Sequence, residues 1–196
     1  MATVSANDRK GDIHRAACSL FREHGYAGTS VRQIAERVGI LGGSLYTHVD
    51  SKDDLLWEIL DESADRFLVT LREVCESDLG VMQKLRRAIV AHVGVITSDL
   101  DAAAVYSFEW RHLTDQRRKD FTRRRDEYEK MFRGLVDQCI REGFIGADSA
   151  ASATLFILSA LNWVSTWFRP GGPMSSDEVA RMLADYIFDG LRRRTG

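Results

Sequence analysis

Apolar residues along this chain recur at intervals of three and four, the spacing of a helix with one buried face. Ile13, Ala16, Ala17, Leu20 and Phe21 begin the pattern. Gly25 stops that helix, because a left-handed position suits glycine. Val31, Ile34, Ala35 and Val38 form the stripe of a second helix over Thr29–Val38, capped by Thr29 or Ser30, and Gln33 can complete a box with Ser30. Gly39 turns the chain into a third helix, Leu41–His48, with Leu45 and Val49 facing inward. Ser51 caps a fourth, which carries Asp53 and Asp54 in its first turn and runs toward Cys75. Further helices are predicted over 81–98, 101–112, 116–142, 147–168 and 176–193. The last opens on a capping box, Ser175 and Glu178, and closes on Arg192, Arg193 and Arg194. No run alternates long enough to suggest a sheet, so the pattern predicts an all-α protein.

Composition narrows the class. With 44% hydrophobic and 29% charged residues in 196, the chain suits a globular core rather than a disordered or fibrous one. Its three cysteines, Cys18, Cys75 and Cys139, are odd in number and widely spaced, against a disulfide framework or a zinc site. The opening MATVSANDRKGD lacks an apolar stretch, so no signal peptide is read and a cytoplasmic location is expected. Ser149 to Phe168 carries no charge and is long enough to span a bilayer. It holds seven polar residues, however, and reads as a helix buried in protein. The only prolines, Pro170 and Pro173, mark a turn between the last two long helices.

The net charge of −2 argues against a nucleic-acid partner until it is divided. Residues 1–52 hold seven basic and five acidic residues, a net of +2. The remainder holds 20 basic and 24 acidic residues, a net of −4. The excess of cations thus lies with the two short helices joined at Gly39, whose spacing is that of a helix-turn-helix. There Thr29 and Ser30 offer a helix N-terminus and hydroxyls to a phosphate, Arg32 projects outward, and Lys52 opens the next helix as a phosphate contact. Gly42 and Gly43 leave the reading helix bare enough to approach base edges, and Ser44, Tyr46, Thr47 and His48 supply hydrogen-bonding tips. Two short helices about a glycine are also ordinary packing, so spacing alone leaves that reading open.

The text AACSLFREHGYAGTSVRQIAERVGILGGSLYTHVDSKDDLL, Ala16 to Leu56, resembles the DNA-binding domain of the TetR family of repressors. Val49 stands where an aromatic is usual, and Leu41 where a small hydroxyl residue often opens the reading helix. The resemblance implies an all-helical homodimer with two reading helices in successive major grooves. It also implies a C-terminal domain that releases the DNA on binding a small molecule. The expected division is therefore a DNA-binding domain over 1–52 and a ligand-binding and dimerisation domain over 53–196.

Within the second domain, the helices over 149–168 and 176–193 are too broadly apolar to be covered by one domain, which makes them the expected dimer interface. His92, Glu109, Arg125 and Asn162 lie near apolar stripes and are candidate ligand contacts; Tyr128 belongs to an aromatic cluster that could hold a pocket. Arg123, Arg124 and Arg125 belong to a basic run from Arg117 that is either a solvated face or a cradle for an anionic group. Asn162 to Val179, NWVSTWFRPGGPMSSDEV, resembles the branch of the family that senses acyl-CoA thioesters. That resemblance implies an acyl chain in an apolar tunnel, with Trp163 lining it. No metal-ligand spacing and no nucleophile–base set is visible, so no catalytic residue, metal or resident cofactor is expected. The expected function is a repressor released by an acyl-CoA. The alternatives are a repressor sensing a lipophilic drug or free fatty acid, a helical CoA-thioester enzyme, and an interaction module without DNA affinity.

Overall fold

The computed structural model describes residues 6–191, with side chains from residue 9 onward. The described residues are helical and contain no strand. Helices α1 (Ala6–Gly28), α2 (Val31–Arg37), α3 (Gly42–Leu45), α4 (Lys52–Glu76) and α5 (Val81–Ser98) are followed by α6 (Leu100–Phe108), α7 (Asp115–Arg141), α8 (Ala150–Asn162), α9 (Val164–Trp167) and α10 (Ser176–Gly190). A 3₁₀ turn, Trp110–His112, joins α6 to α7.

The chain forms two compact units, and neither ends at residue 52. One comprises the residues up to Ala64 together with Asp101–Phe121; the other comprises Asp65–Leu100 and the residues from Thr122 onward. Position 52 opens α4, which runs unbroken to Glu76.

In the first unit the predicted stripes meet. Ile13, Ala17, Leu20, Phe21, Ile34, Leu45, Leu56 and Phe121 are among its buried residues. Each such large side chain contributes roughly 1.5–3 kcal/mol on burial. Gly25 has φ 73° and ψ 159°, a conformation essentially reserved for glycine, and α1 resumes for one turn beyond it. The Ser30–Gln33 capping box forms as predicted. The reading helix is shorter than predicted. Beyond Leu45 the chain tightens into i→i+3 bonds, Thr47 N–H to Ser44 O at 3.2 Å and His48 N–H to Leu45 O at 2.9 Å.

In the second unit α5 is packed against α10, α8 and α9. The predicted 147–168 helix is two. The Ser165 hydroxyl donates to Asn162 O at 3.0 Å and the Thr166 hydroxyl to Trp163 O at 2.7 Å, competing with the backbone ladder. The predicted 101–112 helix likewise yields to the 3₁₀ turn after Phe108. The Ser175–Glu178 box caps α10. Pro170 and Pro173 bracket a turn in which Gly171 has φ 73° and Gly172 donates to Arg169 O at 3.0 Å. A Cβ at Gly172 would lie 2.9 Å from that carbonyl, so the turn requires glycine. Arg192, Arg193 and Arg194 lie outside the described residues.

Candidate nucleic-acid interface and effector site

Most of the residues read as DNA contacts lie on the outward side of α2 and α3. Arg32 is 86% exposed and forms an i,i+4 pair with Glu36 at 2.7 Å. Gly43, Ser44, Tyr46 and Thr47 are exposed, and Gly42 and His48 are partly exposed. A Cβ at Gly42 or Gly43 would meet nothing within 4 Å. Leu41 is the N-cap of α3 without a side-chain bond, as expected where a hydroxyl is missing, and is 81% exposed.

Two predicted phosphate contacts face elsewhere. Thr29 is buried, and its hydroxyl points to Gly25 O at 2.9 Å and Leu20 O at 3.1 Å. Its role is to close the end of α1, whose last carbonyls have no helical partner. The Lys52 ammonium donates to Thr29 O at 2.8 Å and Tyr26 O at 3.0 Å and sits 4.1 Å from the centre of the Tyr26 ring. Burial pushes its pKa down. Two of its three protons therefore hold the α1–α2 junction, leaving one for any other partner.

Tyr26 is the hub of that junction. The Gly25 kink turns its N–H away from the helix, and Glu109 accepts it at 3.0 Å. Its hydroxyl donates to Asp53 and its ring stacks on His112 at 5.3 Å. Glu109, read as a ligand contact, thus braces the reading head. Nothing in the spacing of Tyr26, Asp53 and His112 signals this cluster, since they meet only through the fold.

The cations of the first unit are extensively paired. Lys10 meets Glu58 at 3.0 Å, Arg15 meets Asp12 at 2.6 Å, Arg22 meets Asp101 at 2.6 Å, and Arg37 meets Glu23 at 3.0 Å. The Arg37 guanidinium, assisted by the Ser19 hydroxyl, holds the Glu23 carboxyl at about 2.

In the second unit, three of the predicted ligand residues converge from α5, α7 and α8. His92 is buried, with Nδ1 2.7 Å from the Tyr128 hydroxyl and Nε2 3.1 Å from Asn162 Oδ1. The Asn162 oxygen accepts, so Nε2 carries the proton and Nδ1 accepts from Tyr128. Phe67 covers the imidazole at 4.9 Å. Burial, partly opposed by the Asn162 bond, lowers the His92 pKa to about 4, so the ring is neutral. The Asn162 amide N–H groups remain for another partner.

The other ligand candidates lie apart. Trp163 is 61% exposed, and with Leu155, Phe156, Trp167 and Tyr186 it is one of the large apolar side chains left exposed along α8, α9 and α10. In the basic run, Arg124 pairs with Asp65 and Arg118 with Asp115, while Arg123 and Arg125 are exposed. Arg117 belongs to the first unit, pairing with Asp54 and lying 5.8 Å from the centre of Trp57. Among the described residues no group of His, Cys, Asp or Glu is placed to hold a metal ion. No single described helix is long and apolar enough to cross a membrane.

Residues 13–59 match the profile of bacterial regulatory proteins of the tetR family, and residues 78–191 match that of the tetracyclin repressor-like C-terminal domain. The chain belongs to the TetR family. It is a DNA-binding transcriptional repressor of that family and not an enzyme. It is 30% identical over 191 residues to the HTH-type transcriptional repressor KstR2 of Rhodococcus jostii, covering 96% of this chain and 94% of that one. The structure of the ketosteroid transcriptional regulator KstR2 of Mycobacterium tuberculosis is similar at a TM-score of 0.90 and 27% identity, covering 99% of this chain and 100% of that one. AibR, solved in complex with isovaleryl coenzyme A and operator DNA, shares the fold at a TM-score of 0.79 and 22% identity, over 93% of this chain and 97% of that one.

Proposed function

We propose that this repressor acts as a homodimer in the cytoplasm and is released from its operator by an acyl-CoA thioester. The observation that carries the effector half is the cluster of His92, Tyr128 and Asn162. A few convergent polar groups in an otherwise apolar interior are what a small-molecule site needs to fix one end of its ligand. With both His92 ring nitrogens occupied, the Asn162 amide N–H groups are the donors left for a ligand, and beside a neutral imidazole they suit an uncharged carbonyl better than a carboxylate. The resemblance of Asn162 to Val179 to acyl-CoA sensors supports the thioester, and AibR, which shares the fold, was solved with isovaleryl coenzyme A. No resident cofactor is required.

The dimer reading rests on Leu155, Phe156, Trp163, Trp167 and Tyr186, an exposed apolar set on α8, α9 and α10 that a second copy would cover. In the DNA reading, Arg32 and Ser30 meet phosphate, and Gly43, Ser44, Tyr46 and Thr47 meet bases. Two reading helices then address half-sites about 34 Å apart.

A gel shift on the DNA upstream of its own gene, with and without acyl-CoAs of graded chain length, tests both halves. Retardation abolished by one class of acyl-CoA is the expected result. Retardation that no acyl-CoA changes removes the effector reading. The second reading, a free fatty acid or lipophilic drug, is favoured by the pairing of Arg124 and Arg118 with Asp65 and Asp115. It predicts release by the free acid or drug without coenzyme A.

A further inference from the structure

We propose that a groove between α4 and α5, away from the His92 cluster, binds a single aliphatic chain bearing an anionic head. It has a volume of about 530 Å³, and Val69, Ala91, Gly94 and Val95 form its apolar wall. That volume lies within the range of small-molecule sites, roughly 300–1,000 Å³. From Ala91 to Ser98 the α5 side of the groove is about 10 Å long at 1.5 Å per residue, which suits an extended chain rather than a fused ring system.

Two independent features point to an occupant. Gly94 lies inside α5, where glycine is the least favourable residue after proline, and a Cβ there would meet nothing within 4 Å. The missing side chain leaves the groove open at its centre. At the rim stands Arg66, whose partner is the Ser98 hydroxyl. Among the described residues Arg66 meets no carboxylate, and four of its five N–H donors remain to be used. The one acid of the groove, Asp65, is paired with Arg124. The rim therefore presents a guanidinium beside an apolar trough, the complement of an aliphatic anion. The head that fits is the carboxylate of a free fatty acid, because an acyl-CoA ends its chain in an uncharged thioester and holds its phosphates a pantetheine arm away from the rim. The inference rests on the second unit being the effector domain, as proposed above.

Calorimetric titration of the full-length protein with decanoate, decanoyl-CoA and coenzyme A tests it. The expected result is binding of decanoate, with none for coenzyme A. Tighter binding of decanoyl-CoA than of decanoate would overturn the carboxylate head. Arg66→Gln should weaken that binding about tenfold, since a charge-assisted bond is lost. Gly94→Leu fills the trough and should weaken it by more than tenfold. Should Gly94→Leu fold poorly, Val69→Glu, at a position 47% exposed, places a repelling charge in the same trough and should act likewise. Wild-type affinity in Arg66→Gln and Val69→Glu overturns the groove, as does the absence of decanoate binding. A gel shift on the same samples separates this from the effector reading. Variants that keep operator release but lose decanoyl binding leave a groove that is not the release site. Operator binding that decanoate does not affect, with the titration as expected, keeps the groove and leaves operator release to the His92 site.

Discussion

The Glu109 carboxylate accepts the backbone N–H of Tyr26 at 3.0 Å, across 83 residues of sequence. The bond exists because Gly25 breaks the helix just before Tyr26 and leaves that amide without a helical carbonyl. Glu109→Ala strands a largely buried donor. It should cost about 1–3 kcal/mol of stability in a chemical melt and weaken operator binding, because the neighbouring Thr29 and Ser30 set the start of α2. Glu109→Gln keeps an acceptor and should restore most of both. A melt of Glu109→Ala indistinguishable from wild type would remove this assignment.

Lys52 and Arg32 should separate under salt. Arg32→Ala removes a solvent-exposed cation and should weaken binding to all duplexes alike, lowering the slope of log affinity against log salt by about one. Lys52→Met should instead lower the melting temperature, since Thr29 O loses the ammonium and Tyr26 O keeps only the Thr29 N–H. A Lys52→Met protein with unchanged stability and a reduced salt slope would return Lys52 to the role of phosphate contact.

His92 should make stability fall in mild acid. Its pKa is about 4 in the fold against 6.5 in the unfolded chain. The unfolded chain therefore binds the proton more readily. The contribution is fully present above pH 6.5 and is lost as pH falls toward 4, about 3 kcal/mol in all. Denaturant titrations between pH 7.5 and 4 check this, and His92→Gln should flatten the slope over that window.

The apolar surface on α8 and α10 should respond to one charge. Leu155 is 70% exposed, so Leu155→Glu leaves the protomer's own core intact. Sedimentation should show a shift from dimer to monomer, and operator affinity should fall with it. A variant that remains dimeric and binds the operator normally would move the interface elsewhere.

Much of the helical pattern was legible because burial follows helical period. Ile13, Ala17, Phe21, Ile34, Leu45 and Val49 are all buried where their spacing puts them. Ser30, Gln33, Ser175 and Glu178 carry their capping chemistry within four residues, so both boxes could be read locally. What escaped depends on contacts distant in sequence. Thr29 and Lys52 look like phosphate ligands by type and position, yet the carbonyls left bare at the end of α1 claim both. Glu109 has the residue type of a ligand contact, and only the Gly25 kink gives it another use. Trp163 sits within an apolar stretch that reads as interior, while the break after Asn162 accompanies an outward-facing ring. His92, Tyr128 and Asn162 could each be suspected by residue type, but their meeting at one point comes from the packing of three helices.

The paired cations of the reading head bear on how the repressor finds its site. Lys10, Arg15, Arg22 and Arg37 each rest against a carboxylate, so a phosphate must displace an existing partner before it gains one. Each exchange is small, since a surface pair is worth roughly 0.2–1 kcal/mol. Over several contacts the exchanges would nevertheless blunt adhesion to arbitrary sequence, where no base contact compensates. A head muted in this way would spend little time trapped on the bulk chromosome and more in transit, and its residence would be governed by the bases it reads.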